Sequence, residues 1–182
     1  MSSAVAALPP LRRAVQTDVV ALAALVNVAY RGDSSRAGWT TEADLLGGQR
    51  TDPEQLRRAI DQPGQVILMA TDAHGPLACV LLEHRGATCY LGMLTVRPTA
   101  QRSGLGAALL AQAEAWAAAE WRVASVTMSV IIQRPELLAW YQRRGYVVTG
   151  ERMPFPADDP SFGLPKQDGL AFAVLRKVLP TT

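Results

Sequence analysis

The chain has 182 residues, 49% of them apolar, and a formal net charge of +2, enough to bury one full core and short for two. Its arginines are scattered rather than gathered into a basic stripe, which argues against a nucleic-acid footprint, and no apolar run approaches the length of a membrane span. Residues 1–10 are small and apolar but lack a basic leading segment, so they read as a disordered lead. A single domain at residues 11–179 of a soluble cytoplasmic protein, monomeric or homodimeric, follows.

In chain order, residues 11–15 form a short strand. Thr17 or Asp18 then caps a helix whose apolar positions Val20, Leu22, Ala24, Leu25 and Val28 carry it to about Tyr30. Arg31 to Ser35 is loop-like. Thr40 or Thr41 with Glu42 opens a short helix through Leu46, broken by Gly47-Gly48, and Asp52-Pro53 starts another that ends before Pro63-Gly64. The period then changes to two. Residues 65–71, 77–85 and 88–96 are strands of an antiparallel meander, turning at Asp72-Ala73-His74-Gly75 and Gly86-Ala87.

That register sets Cys79 opposite about Met93 and Cys89 opposite about Glu83, too far apart for a disulfide, so both are expected as buried thiols. The histidines are His74 and His84, with no metal-ligand spacing, and no metal is expected. From Gly104 to about Trp121 an alanine-rich helix shows Leu105, Leu109, Ala113 and Trp116 on one face and Glu114 roughly opposite. A strand at 123–130, a helix at 135–144 stopped by Gly145, a strand beginning at 146–149 and a last strand at 169–178 complete the order. Between them, residues 152–167 carry Pro154, Pro156, Pro160 and Pro165 among Phe155 and Phe162. A loop of that length and aromatic content reads as a functional lid, with a simple insertion as the alternative.

The most informative stretch runs from Leu91 to Gly106, LGMLTVRPTAQRSGLG. An apolar strand passes through a proline-stopped turn into a helix start. There Gly104 and Gly106 let the backbone approach an anion, the helix's first N–H groups are unpaired, and Arg102 adds positive charge. A phosphate-binding Gly-x-x-x-x-Gly-Lys loop is absent, and Leu109 stands where a dinucleotide fingerprint needs Gly or Ala.

The strand ending Leu94-Thr95-Val96-Arg97-Pro98, followed by Gln101-Arg102-Ser103-Gly104-Leu105-Gly106, resembles the acyl-CoA-binding motif of the GNAT N-acyltransferases. Downstream, Ala139-Trp140-Tyr141-Gln142-Arg143-Arg144-Gly145-Tyr146 resembles that family's second signature, in the family's order and with one helix and one strand between. The resemblance implies an α/β (α+β) fold, a mixed, mostly antiparallel sheet of about seven strands flanked by helices, with central strands splayed to hold CoA. It also implies acetyl-CoA as co-substrate. Main-chain groups from Leu94 through Thr95 to Val96 would then hold the pantetheine, with an N–H near Leu94 as oxyanion donor. The turn formed by Gln101, Arg102, Ser103, Gly104, Leu105 and Gly106 would hold the diphosphate. Tyr141 falls where the family's tyrosine protonates the departing thiolate. Arg134 replaces an asparagine that contacts the cofactor arm in relatives, and is carried over as a cofactor contact.

Many relatives place a glutamate on the strand equivalent to residues 88–96, where this chain has no carboxylate. Glu83 and His84 are the nearest substitutes. Alternation sends them to opposite faces, and Glu83 is taken as the proton acceptor. The acceptor pocket is expected from the segment before the second strand and from the proline-rich loop, with Trp39 as an apolar wall and Glu42 or Asp44 pairing with an ammonium. The same acids also suit the N-terminal dipole of a capped helix. The resulting expectation is transfer of an acetyl group to a primary amine of a small molecule, amino-acid derivative or peptide N-terminus, by direct attack in a ternary complex. The alternative is a catalytically silent acyl-CoA-binding sensor or interaction module.

Overall fold

The computed structural model describes residues 7–31, 41–101 and 103–180. The chain enters through Leu8, which is buried in the main core, so the folded part begins ahead of the expected boundary at Leu11. A two-residue strand, β1 (Arg12–Arg13), and a 3-10 turn (Gln16–Asp18) lead into α1 (Val19–Tyr30). Asp18 does not cap α1. Its carboxylate takes the Val15 amide at 2.8 Å and the Arg12 guanidinium at 2.7 and 2.8 Å, which ties the turn back onto β1.

The short helix expected from Thr41 to Leu46 does not form. Leu45 and Leu46 both donate to the Glu42 carbonyl, closing one turn, and the chain then extends as β2 (Leu46–Gly47). Its partner, β8, lies far along the sequence, so the local capping signals are overridden by a long-range pairing. α2 (Pro53–Asp61) forms as expected, with the Asp52 carboxylate accepting the Gln55 amide at 2.8 Å and Pro53 in the first turn.

The meander follows as β3 (Gln65–Asp72), β4 (Gly75–Arg85) and β5 (Thr88–Val96). Next come α3 (Leu105–Trp121), β6 (Ser125–Ile131), α4 (Pro135–Gln142), β7 (Val147–Pro154), β8 (Leu164–Pro165) and β9 (Ala171–Val178). Seven strands make one sheet in the order β1-β3-β4-β5-β6-β9-β7, with β2 and β8 paired separately. β5 and β6 run parallel; the other neighbours are antiparallel. Alternation then distributes the apolar side chains to two faces. Leu68, Val80, Leu82, Cys89 and Leu91 pack with α3 on one, and Ile67, Met69 and Cys79 with α1 and α2 on the other.

Two local expectations change for physical reasons. Glu114 is buried, not exposed, because α3 is covered over about half its circumference. Its carboxylate accepts the Tyr146 hydroxyl at 2.8 Å and the Lys177 ammonium at 2.5 Å. The two-residue turn pairs Arg85 with Thr88, so Cys89 faces His84, and a bulge between Cys79 and Leu81 slips the β4–β5 register by one further residue, so Cys79 faces Thr95. Both thiols are free and buried.

Candidate active site

β5 and β6 are paired only at Thr88–Ser125, Cys89–Val126 and Tyr90–Thr127. Beyond Tyr90 the strands part, and the edge of β5 that faces β6 has no strand beside it. The bulge acts at this point. Met93 takes a left-handed φ of 55° and turns into the α1-side cluster, while Leu94 and Val96 go to the α3-side core. A methionine in that conformation costs about 1–2 kcal/mol, strain of the kind that collects at functional sites. Two carbonyls of the opened edge are held by side chains: Leu94 accepts the Tyr30 hydroxyl and Val96 accepts the Gln101 amide, each at 2.8 Å. Thr95 is buried with its hydroxyl on the Met93 carbonyl at 2.9 Å, so it braces the bulge.

Arg97 anchors the end of the strand to the β3–β4 hairpin through Asp72, at 2.9 and 3.0 Å, and through the carbonyls of Gly75 and Pro76. The turn that follows uses its side chains internally, Ser103 donating to the Ala100 carbonyl at 2.6 Å. Gly104 adopts φ 82°, and no side chain caps α3. Leu105 buries its side chain in the core and leaves only main chain to the turn. The seventeen-residue helix thus starts a short turn after β5, with no side-chain cap among the described residues.

Tyr141 reaches the same place from α4. It is buried, lines the cavity between the splayed strands, and meets the Trp140 and Tyr146 rings edge-on at 4.9 and 5.7 Å. Burial, with the Tyr30 hydroxyl as a lesser cause, raises its pKa far above the ordinary tyrosine value. Tyr30 is likewise pushed up, to about 12, by burial. Arg134 begins α4, buried, with its Nε on Glu136 at 3.0 Å.

The cavity has a volume of about 430 Å³ and extends from the splay to the α1 face. On that side its wall is Tyr30, Arg31, Glu42, Leu46 and Arg50, faced by Met153, Phe155 and Phe162 from the proline-rich segment. The two segments meet because Leu46 pairs with Pro165 and Gly47 with Leu164, while Lys166 donates its amide to the Leu45 carbonyl and its ammonium to the Ala43 carbonyl. Gly163 makes the approach possible. A Cβ there would lie 2.9 Å from Arg31 Nη2 and 3.1 Å from the Gly47 oxygen. Arg31 Nη1 lies 3.1 Å from Glu42 Oε2, with side chains 5% and 14% exposed. Burial lowers the Arg31 pKa, opposed by the Glu42 carboxylate.

The sequence model of the GNAT acetyltransferase domain matches residues 40–155, well over half of the chain. The chain belongs to the GNAT acetyltransferases. Similar solved structures agree on the fold. The spermidine N-acetyltransferase of Vibrio cholerae, in complex with CoA and spermine, has a TM-score of 0.65 at 13% identity, covering 93% of this chain and 94% of its own. Streptococcus mutans smu.2055 has 0.68 at 12%, covering 94% and 99%. A putative phosphinothricin N-acetyltransferase has 0.64 at 18%, covering 94% and 98%. No curated protein matches the chain in sequence.

In this GNAT member Leu94, Tyr141 and Glu42 line one cavity, while Val96 and the turn residues Gln101, Ser103, Gly104, Leu105 and Gly106 that follow it in the chain lie outside the cavity wall. Asp44 is exposed and outside the cavity wall. Glu83 is on the correct face, paired with Tyr90 across β4–β5, but it also lies outside the wall. Arg85 holds its carboxylate at 3.1 and 3.0 Å. His84 stacks on Trp121 on the opposite face, as alternation requires. Trp39 and Arg102 lie outside the described residues. Tyr30, Arg31, Arg50 and Tyr90 were not expected at the site. Each is an ordinary residue at the end of a helix, in a loop or on a strand until the fold brings it to the cavity. Among the described residues no helix is long and apolar enough to cross a membrane, and no His/Cys/Asp/Glu group could hold a metal ion.

Proposed function

We propose that this GNAT member transfers the acetyl group of acetyl-CoA to a primary amine by direct attack in a ternary complex. One observation carries the reading: the strand-free edge of β5 and the buried Tyr141 line one cavity, and the chain leaves that edge directly into the turn where α3 starts. In that arrangement the main chain from Leu94 to Val96 and the turn at residues 101–106 hold the co-substrate, the turn placing helix N–H groups toward its diphosphate. An N–H near Leu94 receives the developing negative charge on the thioester carbonyl oxygen. The amine nitrogen bonds to the carbonyl carbon, the carbon–sulfur bond breaks, and Tyr141 passes its proton to the leaving sulfur. Arg134 sits near enough to Tyr141 for its charge to bear on that hydroxyl. Glu42 is the carboxylate of the cavity wall among the described residues, so the ammonium proton is assigned there rather than to Glu83, which Arg85 engages.

A second reading, a silent acyl-CoA sensor, draws on Glu42 being already paired with Arg31 and on the absence of any carboxylate from β5. Measuring CoA thiol release over a panel of primary amines, alongside acetyl-CoA binding by calorimetry, separates the two. Turnover with at least one amine supports the enzyme; binding with no turnover across the panel establishes the sensor.

A further inference from the structure

Among the described residues the charged members of the cavity wall are Arg31, Arg50, Arg85 and Glu42. Two of the arginines have a carboxylate each: Glu42 lies 3.1 Å from Arg31, and Glu83 lies 3.0 Å from Arg85. Arg50 has no ion pair among the described residues. Its guanidinium lies 5.4 Å from the centroid of the Tyr30 ring, and the Tyr30 hydroxyl is bonded to the Leu94 carbonyl on the opened strand edge. The position is built rather than incidental. Asn27 on α1 accepts the amides of Arg50 and Thr51 at 2.7 and 3.2 Å and returns its own amide to the Thr51 carbonyl at 2.9 Å. Arg50 is thereby pinned at the end of α1, beside the place where the acetyl group is transferred.

Apart from Ser129, Tyr30, Tyr90 and Tyr141, the remaining wall is apolar. Phe155, Phe162, Phe172 and Leu46 line it, and the single carboxylate is engaged. Among the described residues, an acceptor with several ammonium groups finds a net positive wall and no unpaired acid. An acceptor with a carboxylate finds in Arg50 a guanidinium that none of those residues pairs, in a partly enclosed site where such a pair is worth more than in bulk water. Resting on the acetyltransferase reading above, we infer that the acceptor is a carboxylate-bearing primary amine with an apolar body, its acid group on Arg50 and its side chain against the phenylalanines. Free phenylalanine and leucine represent this class. It differs from the polyamine acceptors named for the structural neighbour, whose likeness to this chain is one of fold.

The test compares kcat/KM for phenylalanine and leucine with their amides, with 2-phenylethylamine and with spermidine, in the wild type and in Arg50→Gln. The inference expects each acid to exceed its amide by about tenfold or more, equivalent to about 1.4 kcal/mol. Arg50→Gln should bring that ratio close to one and leave the acetyl-CoA KM within about twofold, while Arg50→Lys retains part of the preference. Amides, 2-phenylethylamine or spermidine used as well as the acids by the wild type would overturn it. So would an Arg50→Gln effect that falls on the acetyl-CoA KM, because Arg50 would then serve the co-substrate. Release of CoA with uncharged or cationic amines alone refutes this inference and leaves the acetyltransferase standing; no release with any amine, with acetyl-CoA binding intact, refutes both.

Discussion

The proposed donor side of the cleft is one continuous piece of chain, from the opened edge of β5 through the turn at residues 101–106 into α3, and would work largely through main chain. The proposed acceptor side is assembled from the end of α1, the turn before β2, Arg50, the β4–β5 hairpin and the segment around Phe155 and Phe162, and would work through side chains. The donor side therefore leaves a local trace of glycine, strand and helix start, whereas the acceptor side exists only once β2 has paired with β8. A co-substrate held by backbone can be anticipated from spacing. An acceptor held by side chains that meet across the fold cannot.

Substitutions on the two sides should separate accordingly. Tyr141→Phe, where the sides meet, is expected to lower kcat about 100-fold, the lower range for loss of a general acid, with acetyl-CoA KM within about twofold. Stopped-flow or steady-state CoA release reads this, and an unchanged kcat would remove Tyr141 from the mechanism. The same hydroxyl sets a pH expectation. Its pKa is raised above the tyrosine value of 10.0, so the proton it donates is present at all lower pH, and it should add no alkaline limb to kcat below about pH 10. The stability gained from the buried neutral hydroxyl is likewise full below the unfolded value and declines as pH rises toward the folded one, with Tyr30 adding to the decline toward about 12.

Glu42→Gln tests the acceptor side alone. It leaves the Arg31 charge buried without its carboxylate and should cost about 2 kcal/mol in denaturant unfolding, while lowering kcat through loss of the proton acceptor, raising the acceptor KM and sparing that of acetyl-CoA. A reversed pattern, with acetyl-CoA affected first, would break the division between the sides. Gly104→Val tests the donor side. A β-branched residue at φ 82° costs about 1–2 kcal/mol and displaces the turn, so the acetyl-CoA KM should rise with little change for the acceptor. Glu83→Gln is expected to do least. Its ion pair with Arg85 is partly exposed, at 52% and 30% for the Arg85 and Glu83 side chains, so stability should move by under about 0.5 kcal/mol and kcat by under about threefold. A loss of tenfold or more in kcat would return the proton-accepting role to Glu83.

Much of the architecture was legible because its causes are local. Asp52 and Pro53 announce α2, alternation announces β3 to β5, and Gly145 ends the chain's run out of α4. The misreadings arise where a distant contact competes with a local signal. Thr41 and Glu42 look like the start of a helix, yet Leu46 is buried with Ile131, Phe155 and Leu170 and draws its segment into a strand. Glu114 stands roughly opposite Leu105 on a helical wheel, yet Tyr146 and Lys177 supply partners from later in the chain. Nothing in the sequence marks Met93 as left-handed, because bulge position depends on how β4 and β5 are pinned at both ends.

By itself the sequence determined the layered sheet, through short-range periodicity and capping, and the resemblance of its two motifs pointed to the family. Only the tertiary structure decided which carboxylate enters the cavity, that Arg50 stands there without an ion pair among the described residues, and how the proline-rich segment closes over Arg31. Those outcomes depend on packing and on charge separations between residues far apart in the chain, which no local pattern encodes.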